Sequence, residues 1–363
     1  MDRIEEEEVA EMAVLSEVVD HVIGVDPDRD RVTAAVVSVI TQGELAWETF
    51  PATRRGYGQA LRWAKTLTVD ERRAWAIEST GSYGAGLAAT LAEMGEFVIE
   101  FDHPSTRASK DGAKSDSLDA VRAARETLGR KSWATPRSRG LREGLRTLIV
   151  ARDSAKLARV AAINVLKALI VTAPVDLRED LRGRSLGQLV DRCIRLRPDT
   201  AADPEHGATK LSLRSTATRV RQLTEECREL EQAMLPIVRE ICPALLDEPG
   251  IGTLVAAQIL VSWSHAGRCR DEAAFARLGG VAPLEATSGQ NQTRHRLSRG
   301  GDRQLNRALH TVILARAKVH PETREYLARR IAQGKTKREA MRCLKRYYAR
   351  HLFRLLESTP MPS

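Results

Sequence analysis

Acidic side chains follow two short apolar stretches of the chain and recur, three positions apart, further along it. Asp26 ends an apolar, β-branched run, and Glu78 ends a second, shorter one. Asp116 and Asp119 lie within KSDSLDA, where a helix is predicted to begin, so they share one helical face. Like charges placed in this way repel each other and weaken the helix. Either this face is solvated, or a positive group lies among the carboxylates.

A cation is the positive group that these residue types favour. The carboxyl ends of strands in an α/β sheet are where ligands bind, so four carboxylates would converge if the helix packs across that edge. Mg²⁺ or Mn²⁺ would be the counter-charge, since hard cations prefer oxygen ligands. Two such ions about 4 Å apart stabilise the attacking and leaving oxygens of a phosphodiester displacement. Each acid also has an ordinary alternative role, in a turn, in a helix cap or beside a helix dipole.

The elements that would position these acids follow an α/β pattern. The apolar run before Asp26 predicts a buried strand, and a turn then leads to a second strand. The remaining elements are a strand, a helix, a strand and a helix; the predicted ranges from the first strand onward are 18–25, 32–40, 74–77, 81–95, 97–101 and 115–128.

Long helices are predicted beyond Pro136. Two apolar seams with 3,4 spacing, over residues 141–169 and 220–241, predict helices that pair with each other or with a second subunit. Residues 174–210 are rich in Arg, Asp and Pro and are interpreted as a loop or small insertion. The P-G-I-G turn that follows contains Gly250 and Gly252. Such a turn between two helices holds a phosphate or serves packing alone.

Charge is distributed unevenly along the 363 residues. The formal net charge is +9, but residues 1–30 carry eleven Asp and Glu against two Arg. Residues 287–357 carry eighteen Lys and Arg against five acids, which favours a polyanionic partner for this end of the chain. The five cysteines are widely spaced without a C-x-x-C pair, so neither a disulfide framework nor a zinc site is indicated. No apolar run is long enough to span a membrane, and a cytoplasmic, nucleoid-associated protein is expected.

The order of the four acids, with the stretches IGVDPDRDRVTAAVV, AIESTGSYG and KSDSLDAVRAAR, resembles the DEDD transposases of insertion sequences. The stretches EPGIGTLVAAQIL and FARLGGVAPLEATSGQNQTRHRLSRGGDRQLNRALH resemble the second domain of the same family. The resemblance implies an α/β plus all-α chain with an RNase H-like (RuvC-like) domain at residues 19–135 after an acidic leader, 1–18. A helical, coiled-coil connector, 136–244, and a mainly helical basic domain, 245–357, with a helix-hairpin-helix-like turn would follow.

The same resemblance implies a recombinase with a composite active site. Asp26, Glu78, Asp116 and Asp119 would hold Mg²⁺ or Mn²⁺, and Ser288 would attack DNA to form a serine-DNA covalent intermediate. A serine hydroxyl is a weak nucleophile that needs a metal or base beside it. Thr287 and Ser298 are the local alternatives. The residues expected to contact nucleic acid are Gly250, Gly252, Gly289, Arg294, Arg296, Arg299 and Arg303.

The partners implied are element-end DNA, target DNA and a structured noncoding guide (bridge) RNA that would read sequence by base pairing. A homo-oligomer, dimer or tetramer, is expected, with no membrane partner. The main alternative is a hydrolytic RuvC-like junction endonuclease that activates water and leaves Ser288 idle. A non-catalytic nucleic-acid-binding scaffold is the second. A sugar-kinase-like ATPase is disfavoured, since no G-x-x-x-x-G-K-[ST] phosphate loop is present.

Overall fold

The computed structural model describes residues 14–101, 116–129, 133–199, 203–285, 295–297 and 300–359, without the side chains of 284, 285 and 295–297. The chain divides into two compact units, residues 1–139 and 140–363. The division lies four residues beyond the predicted boundary at 135/136. The predicted boundary at 244/245 falls inside the second unit, because Leu145, Val238 and Trp263 pack in one core.

A five-stranded mixed sheet forms the centre of the first unit. Its strands are β1 (His21–Pro27), β2 (Arg31–Ser38), β3 (Glu44–Pro51), β4 (Arg73–Glu78) and β5 (Phe97–Phe101). The strand order is β3-β2-β1-β4-β5; β1 pairs antiparallel with β2 and parallel with β4, which pairs parallel with β5. This arrangement is compatible with the predicted RNase H-like fold.

Both faces of this sheet are covered by helices. The helices of the first unit are α1 (Leu15–Val18), α2 (Arg54–Leu67), α3 (Ala85–Glu93) and α4 (Asp116–Leu128). Alternate residues of β1 and β4 face opposite layers, because side chains in a strand alternate. Ile23 and Trp75 pack with α2 and α3, whereas Val22 and Ala76 pack with α4. The central strands of the sheet are therefore buried between two helical layers.

Four features of the first unit differ from the sequence prediction. The strand β3 and the helix α2 were not predicted, and the helix predicted over 81–95 is shorter, at Ala85–Glu93. The acidic leader was predicted to reach residue 18, but Leu15 is fully buried in the core beneath α4. Residues 1–13 of that leader lie outside the described residues.

The second unit begins with two long helices that pack along each other, α5 (Leu141–Val171) and α8 (Pro204–Ile241). The apolar seams of α5 and α8 therefore pair within one chain. Residues 174–210, interpreted as a loop or small insertion, do not form a simple loop, because this segment contains α6 (Val175–Leu181) and α7 (Leu186–Ile194). Leu181, Val190 and Cys193 pack these two helices against α5 and α8.

The rest of the second unit contains six helices and a two-stranded hairpin among the described residues. The helices are α9 (Ala244–Asp247), α10 (Thr253–Trp263), α11 (Glu272–Leu278), α12 (Arg303–Val319), α13 (Pro321–Ala332) and α14 (Lys337–Glu357). The hairpin strands, β6 (Pro283–Glu285) and β7 (His295–Leu297), were not predicted. None of the helices described in either unit is long and apolar enough to cross a membrane.

Candidate active site

Asp26 and Glu78 lie beside each other where β1 and β4 end. The parallel register pairs Val25 with Ile77, so the two acids follow the last paired positions of neighbouring strands. Adjacent strands lie about 4.8 Å apart. Both acids continue the alternate positions that carry Val22 and Ala76, which pack with α4. The sheet therefore presents two carboxylates to the layer occupied by α4.

Gly24 brings α4 unusually close to the sheet. A Cβ atom at this position would lie 1.9 Å from the Ala120 carbonyl oxygen and 2.6 Å from the Ala124 amide nitrogen. No side chain fits such a contact, so glycine is required for the helix backbone to rest on β1. Asp116 lies one turn before Ala120, about 6 Å along the axis, and Gly24 precedes Asp26 by a similar length of strand.

The electrostatics of Asp26 show that the four acids are neighbours. Burial, reinforced by the negative charges of Glu78, Asp116 and Asp119, raises the pKa of Asp26 to about 6. Like charges that share a site disfavour one another's ionised form, and removal from water adds to the effect. Asp26 is therefore within electrostatic reach of the other three acids, and their convergence on one cation stays a prediction.

The donor set matches a hard divalent cation in kind, since all four side chains supply carboxylate oxygens. Within the described parts of the chain, no three His, Cys, Asp or Glu side chains are already gathered closely enough to hold a metal ion. Asp119 accepts a hydrogen bond of 3.0 Å from Arg122. Cation binding would require the carboxylates to draw together, and it would relieve the repulsion that raises the pKa of Asp26.

A short loop after β4 completes this edge of the sheet. Ser79 adopts a left-handed conformation, with φ of 53°, directly after Glu78. Residues other than glycine seldom adopt this conformation, and functional sites are where such strain concentrates. Thr80 is next, and its hydroxyl is buried without a hydrogen-bond partner among the described residues. The sequence analysis missed Thr80, because nothing in the residue type or spacing signals an unpaired hydroxyl.

The residues predicted to contact nucleic acid are only partly described. Gly250 has φ of +90°, which favours glycine, and a Cβ there would lie 3.1 Å from the Ala315 Cβ in α12. Gly252 has open space around it and precedes α10, and Arg303 is exposed at the start of α12. Arg296 lies in β7, where only its backbone is described. The predicted positions outside the described residues are Thr287, Ser288, Gly289, Arg294, Ser298 and Arg299.

A second acid, in the other unit, has an opposite environment. Glu248 precedes the P-G-I-G turn and accepts hydrogen bonds from the Tyr348 hydroxyl at 2.9 Å and from Arg316 at 3.2 Å. His351 Nε2 lies 2.7 Å from its other oxygen. Burial acts to raise the pKa of Glu248, but the hydrogen bonds from His351 and Tyr348 outweigh it and hold the pKa below its usual value. Glu248 therefore anchors the turn to α12 and α14.

Two family models match this chain. The DEDD transposase model of IS110 elements matches residues 23–173, which include all four carboxylates. The model described as "Transposase IS116/IS110/IS902 family" matches residues 242–328, which include Ser288. The two matches follow one another along the chain and concern the same group of elements. Over these two regions the chain is therefore similar to transposases of the IS110 group.

Two curated relatives agree with this assignment. The "Insertion element IS110 uncharacterized 43.6 kDa protein" of Streptomyces coelicolor is 30% identical over 159 residues, which are 43% of this chain and 39% of that protein. The "Transposase for insertion sequence element IS1328" of Yersinia enterocolitica is 25% identical over 255 residues, 68% of this chain and 71% of that protein. The first alignment thus spans well under half the length of the Streptomyces protein.

Proposed function

We propose that this protein is the transposase of an insertion sequence and that it cuts and rejoins DNA with divalent metal. The observation that carries the proposal is that Asp26 is half-buried within reach of the negative charges of Glu78, Asp116 and Asp119, at the edge of the sheet where α4 is seated on Gly24. Carboxylates held together at a cost are typical of functional sites. The similarity to DEDD transposases suggests the class of reaction.

Asp26, Glu78, Asp116 and Asp119 would hold the cation, in keeping with their oxygen donors. When bound, Mg²⁺ or Mn²⁺ stabilises negative charge on the attacking and leaving oxygens of a phosphodiester. The protein's own contribution is to fix two carboxylates on adjacent strands and two on a helix that cannot shift sideways. Such positioning on rigid elements limits the reorganisation needed during reaction.

The finer proposal concerns the nucleophile. Ser288 Oγ would form a bond to the scissile phosphorus while the bond from phosphorus to the leaving DNA oxygen breaks. The departing oxygen takes up the proton that the serine loses, and a second strand's hydroxyl later reverses the exchange. The support for Ser288 is its position in the family-like stretch ATSGQNQTRHRLSRGGDR. The DEDD assignment by itself also fits a different route, in which water or a DNA hydroxyl attacks and Ser288 takes no part.

The proposed substrates are the ends of the element and a target DNA. The basic residues of α12 to α14, with the excess of Lys and Arg over residues 287–357, support contact with phosphate backbones. We also propose a structured guide RNA as a partner and an oligomer as the active form; both rest on the family resemblance. Sequencing the RNA that remains bound to the purified protein tests the first. Enrichment of one RNA from the element's ends supports it, and random fragments contradict it.

The test of the reaction is a covalent-adduct assay with the element's native flanking DNA and Mg²⁺. Wild type, Ser288→Ala and Asp26→Asn are denatured and probed for DNA-linked protein and for cut strands. Asp70→Asn is the matched control, because Asp70 is an exposed aspartate whose left-handed φ of 56° asparagine tolerates.

Three outcomes separate the alternatives. An adduct in wild type and Asp70→Asn that is absent in both other variants supports metal-dependent serine exchange. Cutting without an adduct, lost in Asp26→Asn but kept in Ser288→Ala, supports the carboxylate route with water or a DNA hydroxyl. If wild type binds DNA but cuts no strand with any divalent metal ion added, the protein is a non-catalytic scaffold and the proposal fails.

A further inference from the structure

Thr80 carries a buried hydroxyl that the described residues leave unpaired. The residue is 6% exposed, and among the described residues its Oγ1 has no hydrogen-bond partner. Thr90 is a useful contrast in the next helix: it is 8% exposed, and its hydroxyl donates to the Gly86 carbonyl at 2.9 Å. Most buried hydroxyl groups resemble Thr90, because leaving one unpaired is unfavourable. The hydroxyl of Thr80, unpaired among the described residues, is therefore available to a ligand.

The loop that contains Thr80 borders the acidic site. It begins directly after Glu78, and it returns so that Gly84 rests on the end of β4. A Cβ at Gly84 would lie 2.5 Å from the Glu78 carbonyl oxygen and 3.3 Å from Pro27, the residue after Asp26. The loop is thus packed against the ends of both strands that carry acids.

Other hydrogen-bond donors accompany Thr80 in this loop. Nη1 of Arg137 lies 3.5 Å from the position that a Cβ of Gly81 would occupy, so a guanidinium lies beside Gly81. The amides of Ser82 and Gly84 both donate to the Ser79 carbonyl. The amides of Thr80 and Gly81, in contrast, donate to no other described residue. A hydroxyl, a guanidinium and two amides form a donor set suited to an anion.

We propose that the Thr80 hydroxyl and the Arg137 guanidinium bind an oxygen of the phosphodiester that enters the acidic site. The inference rests on the proposed function, since it gives the DNA substrate of that site a second set of contacts. The carboxylates repel a phosphate, and donors on the neighbouring loop offset this repulsion on the substrate's own oxygens. Thr80 would thus orient the phosphate, while the cation held by the acids acts on the reacting oxygens.

Thr80→Val is the decisive variant, because valine has the shape of threonine and lacks the hydroxyl. If the hydroxyl serves only a bound phosphate, its removal leaves Tm unchanged or raises it by about 2 °C. Thr80→Ser keeps the hydroxyl and is the conservative rescue. Thr90→Val is the matched control, since it removes a hydroxyl that is paired within the fold, and we expect its Tm to fall.

Binding is measured in EDTA with a labelled duplex of the element's end, so the readout does not depend on cutting. Thr80→Val is expected to weaken binding about tenfold and Thr80→Ser less than threefold. Arg137→Ala is expected to lower the slope of log K against log salt by about 0.9, the loss of one phosphate contact. Arg62→Ala, an exposed arginine of α2, should leave the slope unchanged.

The outcomes distinguish this inference from the proposed function. A fall in Tm for Thr80→Val to the level of Thr90→Val would make the hydroxyl a structural group and overturn the inference. Wild-type affinity and cutting in Thr80→Val would overturn it as well, while leaving the transposase proposal intact. If wild type neither binds nor cuts the duplex, the proposed function fails first. Weakened binding with unchanged Tm, restored by serine, supports the phosphate contact.

Discussion

Asp26 and Glu248 are two partly buried carboxylates whose surroundings differ in one respect. Glu248 accepts hydrogen bonds from Arg316 and Tyr348, and its pKa is held below the usual value. Asp26 has three other carboxylates as neighbours, and no ion pair to it occurs among the described residues; its pKa is raised to about 6. A buried acid with its partners supplied contributes to the fold, whereas one placed among like charges costs free energy. A partly buried carboxylate placed among like charges is therefore typical of a functional site.

The largest expected effect comes from forcing α4 away from Asp26. In Gly24→Ala the new Cβ would overlap the Ala120 carbonyl oxygen, so we expect a loss of about 3 kcal/mol or more in the free energy of unfolding. In the protein that still folds, Asp116 and Asp119 should lie farther from Asp26, and the pKa of Asp26 should fall toward its usual value. Chemical denaturation and carboxylate titration by NMR measure the two effects.

The control for Gly24→Ala is Gly187→Ala, at an open helical site. Gly95→Ala is a poor control because Gly95 has positive φ. A Gly24→Ala protein as stable as Gly187→Ala would contradict the close approach of α4.

The next largest loss of stability is expected when Glu248, the acid that has its hydrogen-bond partners, is neutralised. Glu248→Gln leaves the Arg316 guanidinium, which is 13% exposed, without its counter-charge. Loss of one partner of a buried pair costs about 3–5 kcal/mol, and the partial exposure of this pair reduces the expectation to about 2–4 kcal/mol. Thermal and urea unfolding measure it, with Glu325→Gln, an exposed acid of α13, as the control. Equal stabilities of the two variants would show that the Glu248 contacts contribute nothing to the fold.

The smallest expected effect is a gain in stability, and it comes from neutralising Asp26. The pKa of Asp26 is raised in the fold from 3.8 to about 6, so the folded state favours the protonated form. The contribution of this carboxyl to stability is fully present below about pH 4 and is lost as the pH rises through 6. Asp26→Asn should therefore stabilise the metal-free protein at pH 7 to 8 by about 1–2 kcal/mol, a value reduced for the solvent that reaches this half-buried group.

The measurement for Asp26→Asn is Tm against pH in EDTA, compared with Asp70→Asn. Wild type and Asp70→Asn should lose Tm between pH 4 and 6, whereas Asp26→Asn should lose less. Added Mg²⁺ should raise Tm of wild type above pH 6 and have little effect on Asp26→Asn. If Asp26→Asn is less stable than wild type at pH 8, the Asp26 carboxylate stabilises the fold, as that of Glu248 does, and the prediction is wrong.

The sequence contained enough to predict both strand ends that carry acids, because β1 and β4 are apolar runs closed by a charge. It also predicted α4, from the acidic first turn of an apolar-periodic segment. The strand β3 was missed because it lies at the sheet edge, where Leu45 and Trp47 are about half exposed and the apolar pattern is weak. The helices α6 and α7 were missed because their few buried leucines are surrounded by Arg and Asp.

The four carboxylates of the candidate site were singled out from the sequence, whereas the neutral side chain of Thr80 was not. Four acids in a fixed order are visible in a sequence, since charge is rare beside a buried strand. The unpaired state of Thr80 depends on which atoms fail to reach its hydroxyl, and only the folded loop determines that. The same holds for Gly24, whose role depends on a helix placed about 95 residues later in the chain.

The contact between Gly24 and α4 joins main-chain atoms to main-chain atoms. No side chain lies between them whose enlargement or trimming would move the helix by a fraction of an ångström. Substitution at Gly24 therefore offers evolution and protein engineering an abrupt displacement of α4 and no gradual adjustment. Gradual changes of metal preference or substrate geometry would have to arise elsewhere, from the carboxylates themselves, from the loop after β4 or from the side chains that pack around this contact.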